Sequence, residues 1–417
     1  MQRQALTGKT LRIVTTTNSR RFSRRLFLGA LFAAFLVFCP RSALAQDTRA
    51  AEIAAQQAEK SKRLTPNVAS RAEKVVDWFE DYFLSPNVVY ATFSSVYPTG
   101  GITPGIAWRR SIGYARFNLG GAWSVRNYKG VNTSLRFPEL AGNRMEIEGH
   151  ASWVDATQVP YYGLGNDTLK DDRANYGLQE SGGGGSLTLK PVRWFRVGGG
   201  VDYRQVEDSE GDGTRPSIET VYNDLTAPAL FEKTTYTQGI AQVAIDWRES
   251  PGYTRRGGLY AVTFNDFSDA DDRLGFRRYD FEIRQMFPIL KEHWILAFRA
   301  YAQSTETKSG QVIPYHLLPS LGGNDTHRGY GDFRFRDNHM LVLNGEYRWT
   351  PSRILDMAFF VDTGKVATER RDLDLEDLKT AYGIGWRIHS PTLTVWRIDL
   401  AHGDEGFRLH LTGSLSF

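Results

Sequence analysis

The 417-residue chain is mildly basic, with a formal charge of +4, but the excess sits in its first 45 residues, which carry eight Lys/Arg and no acid. Removing these eight cations takes the charge to −4, so the basicity gives no argument for a nucleic-acid partner. The single cysteine, Cys39, lies in the same stretch, which leaves the remainder without a disulfide, a thiol nucleophile or a cysteine metal site.

That first stretch reads as a bacterial secretory signal peptide, residues 1–45. A basic cluster ending in Arg24-Arg25 leads into the apolar run Leu26 to Phe38, and Ala43-Leu44-Ala45 supplies the small residues before a cleavage point. The apolar run falls short of the ~18–20 residues a membrane span needs. Ser23 to Leu28 resembles a twin-arginine signal, a route for folded cargo. Cys39 follows bulky Phe38, which is unlike a lipid-attachment site. The mature chain is expected to begin near Gln46.

Residues 46–86 are expected to form a short periplasmic helical segment. Gln46 to Lys62 is rich in Ala, Gln and Glu, Pro66 interrupts it, and Val75, Val76, Phe79 and Phe83 then share one helical face. It reads as a tether at the membrane surface or as a helix at a barrel mouth.

From Asn87 the period becomes two, and residues 87–417 read as one all-β domain. Phe407, Leu409, Leu411, Leu415 and Phe417 share a face opposite Arg408, His410, Thr412, Ser414 and Ser416. The same split recurs upstream: Trp396, Ile398 and Leu400 oppose Arg397 and Asp399, and Tyr279, Phe281 and Ile283 oppose Asp280, Glu282 and Arg284. Charges on one face, with Trp, Tyr and Phe at the ends of the other, predict a transmembrane antiparallel β-barrel of about 16 strands. The expected strands are 87–97, 102–112, 115–127, 131–138, 144–162, 174–192, 194–208 and 236–249, then 256–267, 273–288, 293–304, 339–350, 354–366, 380–390, 393–402 and 407–417. Two long connectors, about 207–235 and the stretch around 320–337, fall on the extracellular side if the N-terminus is periplasmic.

The second connector carries the most specific signal. "LGGNDTHRGYGDFRFRDN", then "LVLNGEYRW" and "LDMAFFVDTGKV", then a terminal Phe, resemble the BamA/TamA-type outer-membrane assembly barrels, also described as bacterial surface antigens. "YYGLGND" at 161–167 is similar to a stretch found in the same family. The resemblance spans roughly residues 87–417 and implies that the loop folds back into the lumen, led by Arg328, Gly329 and Tyr330. The implied partners of Arg328 are acids on the next two strands. Parity places Glu346 and Asp362 on the lumen face, where Arg328 can bond them in charge-assisted, bidentate fashion. Gly329 is expected to permit the tight turn and Tyr330 to pack on the wall. Phe417, Leu415 and Leu411 are expected to serve as the C-terminal assembly signal. Two departures stand out: His327 takes the place of an apolar residue, and the segment before the barrel leaves no room for POTRA repeats.

No nucleophile elbow, zinc-binding HExxH or phosphate loop is present, and the eight histidines are scattered. His410, on the lumen face, reads as a wall residue before it reads as part of a phospholipase-like site. The chain is therefore expected to be a non-enzyme without metal or cofactor, located in the outer membrane. Its expected role is assisting insertion or translocation of a substrate. A passive porin-like channel and a structural or adhesive surface antigen remain open alternatives. The partners implied are outer-membrane lipids, the barrel-assembly machinery and a separate periplasmic client-binding protein.

Overall fold

The computed structural model describes residues 87–412 apart from 94, 290–292 and 391, together with Lys74, Val75, Trp78, Tyr82 and Ser85. The expected signal peptide, most of the 46–86 segment, Leu415 and Phe417 lie outside the described residues. Lys74, Val75, Trp78 and Tyr82 are helical.

Sixteen strands form one antiparallel sheet. The first eleven are β1 (Asn87–Thr92), β2 (Gly105–Ile112), β3 (Ala115–Trp123), β4 (Lys129–Glu139), β5 (Met145–Tyr161), β6 (Ala174–Val192), β7 (Phe195–Glu210), β8 (Thr234–Asp246), β9 (Gly257–Asp269), β10 (Phe276–Ile289) and β11 (Trp294–Thr307). Two two-residue strands, β12 (Ser320–Leu321) and β13 (Phe335–Arg336), pair with each other inside the long connector. The wall resumes with β14 (His339–Ser352), β15 (Leu355–Ala367), β16 (Lys379–His389), β17 (Thr394–Gly403) and β18 (Gly406–Thr412). Each wall strand pairs with its sequence neighbour, β11 pairing directly with β14. Among the described residues no ladder joins β1 to β18.

The observed ends lie close to the expected ones, because turn residues and the change of parity mark them. β1 is the largest departure, stopping at Thr92, and the pair β12–β13 had no periodic signal at two residues each.

Burial inverts the rule for a water-soluble domain. Phe407, Leu409 and Leu411 are 73%, 72% and 70% exposed, whereas Arg328, Arg387, Arg397, Glu346, Asp362 and Asp399 are buried. An apolar outer face and a charged inner face suit lipid outside and a polar lumen within. Side chains from strands far apart in the sheet meet on the inner face, so the sheet curls into a barrel around that lumen. Trp294, Tyr347, Trp349 and Phe359 stack on one another near one end of the outer face, with centroids 5.2–6.4 Å apart between neighbours, as an interfacial aromatic girdle does.

The apolar band makes a direct prediction. Val361 is exposed at the centre of β15. Val361→Arg should cost about 2–4 kcal/mol, the penalty for a cation at the bilayer midplane. Urea unfolding from lipid vesicles checks this, and the same change at outward Leu411, near a barrel end, should cost less.

Candidate functional site in the lumen

The connector from 308 to 338 folds inward. β12 and β13 form its neck, and residues 322–334 make the tip. Gly322 and Gly323 have φ of 124° and 85°, a region costly for residues with a Cβ. The tip packs against the wall through Tyr330, which lies buried with Leu321, Phe335, Met340, Val342 and Val366. Its hydroxyl donates to Asp404 Oδ2 at 3.1 Å.

Arg328 sits at the centre, 2% exposed. Its Nε and Nη2 donate to the two oxygens of Asp362 at 2.7 and 2.6 Å, a bidentate fork. Nη1 donates to Glu346 Oε1 at 2.6 Å and to Asp399 Oδ2 at 3.2 Å. The backbone N–H of Arg328 adds a bond to Asp362 Oδ2 at 3.0 Å, and its carbonyl lies 2.8 Å from His410 Nε2. The guanidinium also lies over the Phe360 ring, 3.4 Å from its centroid. One arginine therefore touches β14, β15, β17 and β18.

The acids are shared. Glu346 also takes Arg348 at 2.6 Å and Arg387 at 2.9 Å, and Asp399 takes Arg397 at 3.0 Å. Asn344 Nδ2 donates to Asp362 Oδ1 at 2.8 Å and to Thr326 O at 3.0 Å, and Arg397 bonds the tip through Asn324 Oδ1. Four guanidiniums thus surround three carboxylates. Each ion needs such compensation because an unmatched charge in a dry interior is costly.

The structure brings Arg328, Glu346 and Asp362 together in the lumen. It also gives Gly329 a different part from the one expected. Its φ is not positive; instead a Cβ there would overlap the Cβ of Ala381 on β16. The glycine permits close approach to the wall, not the turn. His327 is fully buried, and burial lowers its imidazole pKa, favouring the neutral form. Its Nε2 lies 2.9 Å from Lys379 O, and its Nδ1 accepts the Gly329 N–H at 3.3 Å. A neutral, satisfied imidazole occupies an apolar position at little cost.

Sequence reasoning missed the sharing of the acids by Arg348, Arg387 and Arg397, and four further members. Asp399 and His410 were legible as lumen-facing by parity, but nothing local assigned them to the loop. Arg334 and Arg336, also on the loop, reach the "YYGLGND" segment. Arg334 donates to Thr168 Oγ1 and O at 2.8 and 2.7 Å and to Glu405 Oε1 at 2.5 Å, and lies over Tyr162. Arg336 lies 5.1 Å from the Phe333 centroid and 5.9 Å from that of Tyr161, and donates to Tyr315 O at 2.9 Å. Tyr161, Tyr176 and Tyr315 pack edge to face there, in a buried core that includes Tyr128, Leu178 and Ile218. This core packs together at the loop end of the barrel. His410, bonded to the loop backbone, belongs to the same assembly.

These features define an outer-membrane β-barrel with an arginine-pinned inward loop. The Omp85 superfamily domain matches residues 114–417, and the chain belongs to that superfamily, whose outer-membrane barrels serve insertion or translocation. Two solved structures are similar in fold. BamA from Haemophilus ducreyi lacking POTRA domains 1–3 has 15% identity and a TM-score of 0.58, over 79% of this chain and 69% of that one. CdiB from Escherichia coli has 14% identity and a TM-score of 0.52, over 78% of this chain and 61% of that one. No curated protein matches the chain.

Proposed function

We propose that this barrel assists the insertion or translocation of a substrate at the outer membrane, and that the substrate does not pass through a permanently open bore. The observation that carries the reading is the loop held inside the lumen. The Arg328 cluster pins the loop to the last wall strands, and the tyrosine core around Arg336 packs the space beside it. A passive porin-like channel requires a continuous water path, and this loop stands in it.

The ends of the sheet support the same reading. β1 has 6 residues, against 19 in β6, and among the described residues no ladder joins it to β18. A short β1 offers few backbone hydrogen bonds across that seam, and an edge strand is open to pairing with another strand. In this reading the loop cluster braces the wall beside that seam.

The N-terminus lies in the periplasm in this proposal. The loop connectors then face outward from the cell, and the short turns face the periplasm, where the barrel-assembly machinery and a client-binding partner act. Residues 1–45 are the cleaved signal and 46–86 the periplasmic segment.

Planar-bilayer recording tests the central claim. The native barrel should give only small, brief openings, and deletion of residues 322–336 should give a larger, steady conductance. Steady ohmic conductance from the native barrel overturns the proposal in favour of a porin. A strain lacking the protein should lose specific outer-membrane components; an unchanged outer membrane favours a structural antigen.

A further inference from the structure

At the end opposite the long loops, one turn is built unlike its neighbours. Residues 247–256, WRESPGYTRR, connect β8 to β9. The hairpin ladder continues into it, with Trp247 N–H bonded to Gly258 O at 2.9 Å and Glu249 N–H to Arg256 O at 3.2 Å. Its base is clamped by Asp246, which takes Arg248 through both oxygens at 2.9 Å and Arg196 at 3.0 Å. Ser250 to Tyr253 then form a tight turn, closed by the Tyr253 N–H to Ser250 O bond of 3.2 Å, with Pro251 at its second position.

The tip does not end in solvent. It reaches strands that are four to six places away in the sheet. Tyr253 Oη donates to Asp356 Oδ2 of β15 at 2.7 Å and lies 3.0 Å from His389 Nε2 of β16. The tyrosine ring stacks on His389 with centroids 4.0 Å apart. Thr394 N–H of β17 donates to Gly252 O at 3.0 Å, and Ser250 Oγ donates to Thr392 O at 3.1 Å. Arg255 donates to the Tyr253 hydroxyl and to Thr350 Oγ1, both at 3.1 Å. A Cβ at Gly252 would press on Thr392 O at 2.6 Å, so the close approach requires glycine. Tyr253, Thr254, Asp356 and His389 are all buried.

Asp356 faces inward, since Met357, Phe359 and Val361 form the outward set of β15. The turn therefore crosses the inside of the barrel mouth. We propose that residues 247–256 are a strap that shuts the short-turn mouth of the lumen and that it opens by undocking Tyr253 from Asp356 and His389. Two features make it the weaker closure of the two ends. It buries one aromatic ring, where the loop end buries a whole tyrosine core. Its dock is one tyrosine and a few hydrogen bonds to two strands, where the loop end is held by four guanidiniums on three carboxylates. Both ends of the strap stay tethered to β8 and β9, so release swings it aside without unfolding the wall.

Thiol access tests the strap. Ala358, inward-facing and next above Asp356 on the same face of β15, is 1% exposed. The full chain carrying Ala358→Cys, in detergent, is treated with a charged methanethiosulfonate reagent. Reaction should be slow with the native strap. It should be at least tenfold faster with Tyr253→Ala or with Gly252→Val, and intermediate with Tyr253→Phe, which keeps the ring and loses the hydroxyl. The faster mobility of unheated barrel on gels confirms folding of each variant. Fast reaction with the native strap, or rates within twofold in both folded strap variants, overturns the proposal. If one variant fails to fold, the other decides.

Discussion

Arg328→Ala should free residues 322–336 from the lumen and destabilise the barrel by about 3–5 kcal/mol, the range for removing one side of a buried ion pair. The argument turns on which carboxylate is left unmatched. The Arg328 side chain donates four hydrogen bonds to three acids. After its loss, Glu346 keeps Arg348 and Arg387, and Asp399 keeps Arg387 and Arg397. The cluster as a whole then has three cations for three anions, so most of the penalty falls on Asp362, which keeps Asn344 and the backbone N–H of residue 328 but, among the described residues, has no second arginine bonded to it. Adding Asp362→Asn to Arg328→Ala should therefore recover part of the loss. Arg328→Lys should recover little, because an ammonium cannot copy the planar fork on Asp362. The readouts are protease cleavage within 322–336 and the urea midpoint. An Arg328→Ala loop as resistant to protease as the native one would show that the cluster does not hold it.

Gly329→Val should have an effect of similar size by a different route. The new side chain would meet the Cβ of Ala381, which is fixed on β16 and cannot turn away. Overpacking of this kind costs roughly 1–3 kcal/mol where the surroundings yield, and here the cheapest escape is expulsion of the loop tip. Loss of the Arg328 bonds then follows. Gly329→Ala alone should show the same loosening more weakly, and Gly329→Ala with Ala381→Gly should restore it, because the two methyl groups exchange places. Failure of that pair to restore protease resistance would put the requirement for glycine in backbone conformation after all.

Much of this architecture was legible. Strict alternation over strands such as 407–412 shows which residues face lipid, and parity puts Glu346 and Asp362 on the lumen face, while their pairing with Arg328 was implied by the family resemblance. Contacts across the lumen were not. Asp399 lies 71 residues beyond Arg328, and no local pattern says which of several inward acids a loop will meet. That depends on the tilt and stagger of the whole barrel. The strap illustrates the same limit. Pro-Gly between two strands reads as an ordinary turn, and only closure of the sheet brings Tyr253 to His389. Gly329 was assigned a conformational role because glycine in a loop usually has one; the identity of its neighbour, Ala381, carries the real constraint.

The arginine cluster also sets how the wall distributes strain. It cross-braces β14, β15, β16 and β17 through one buried lattice of ions, and His410 adds β18 through the Arg328 carbonyl. The inner faces of β2–β4 carry instead more exposed contacts, such as Arg109 with Asn118 at 3.2 Å and the ion pairs Arg116–Glu139 at 2.7 Å and Arg136–Glu148 at 2.8 Å, which water screens. The barrel is thus a cylinder of uneven stiffness. A rigid sector adjoins a compliant one, and thermal bending accumulates where they meet rather than spreading evenly around the rim.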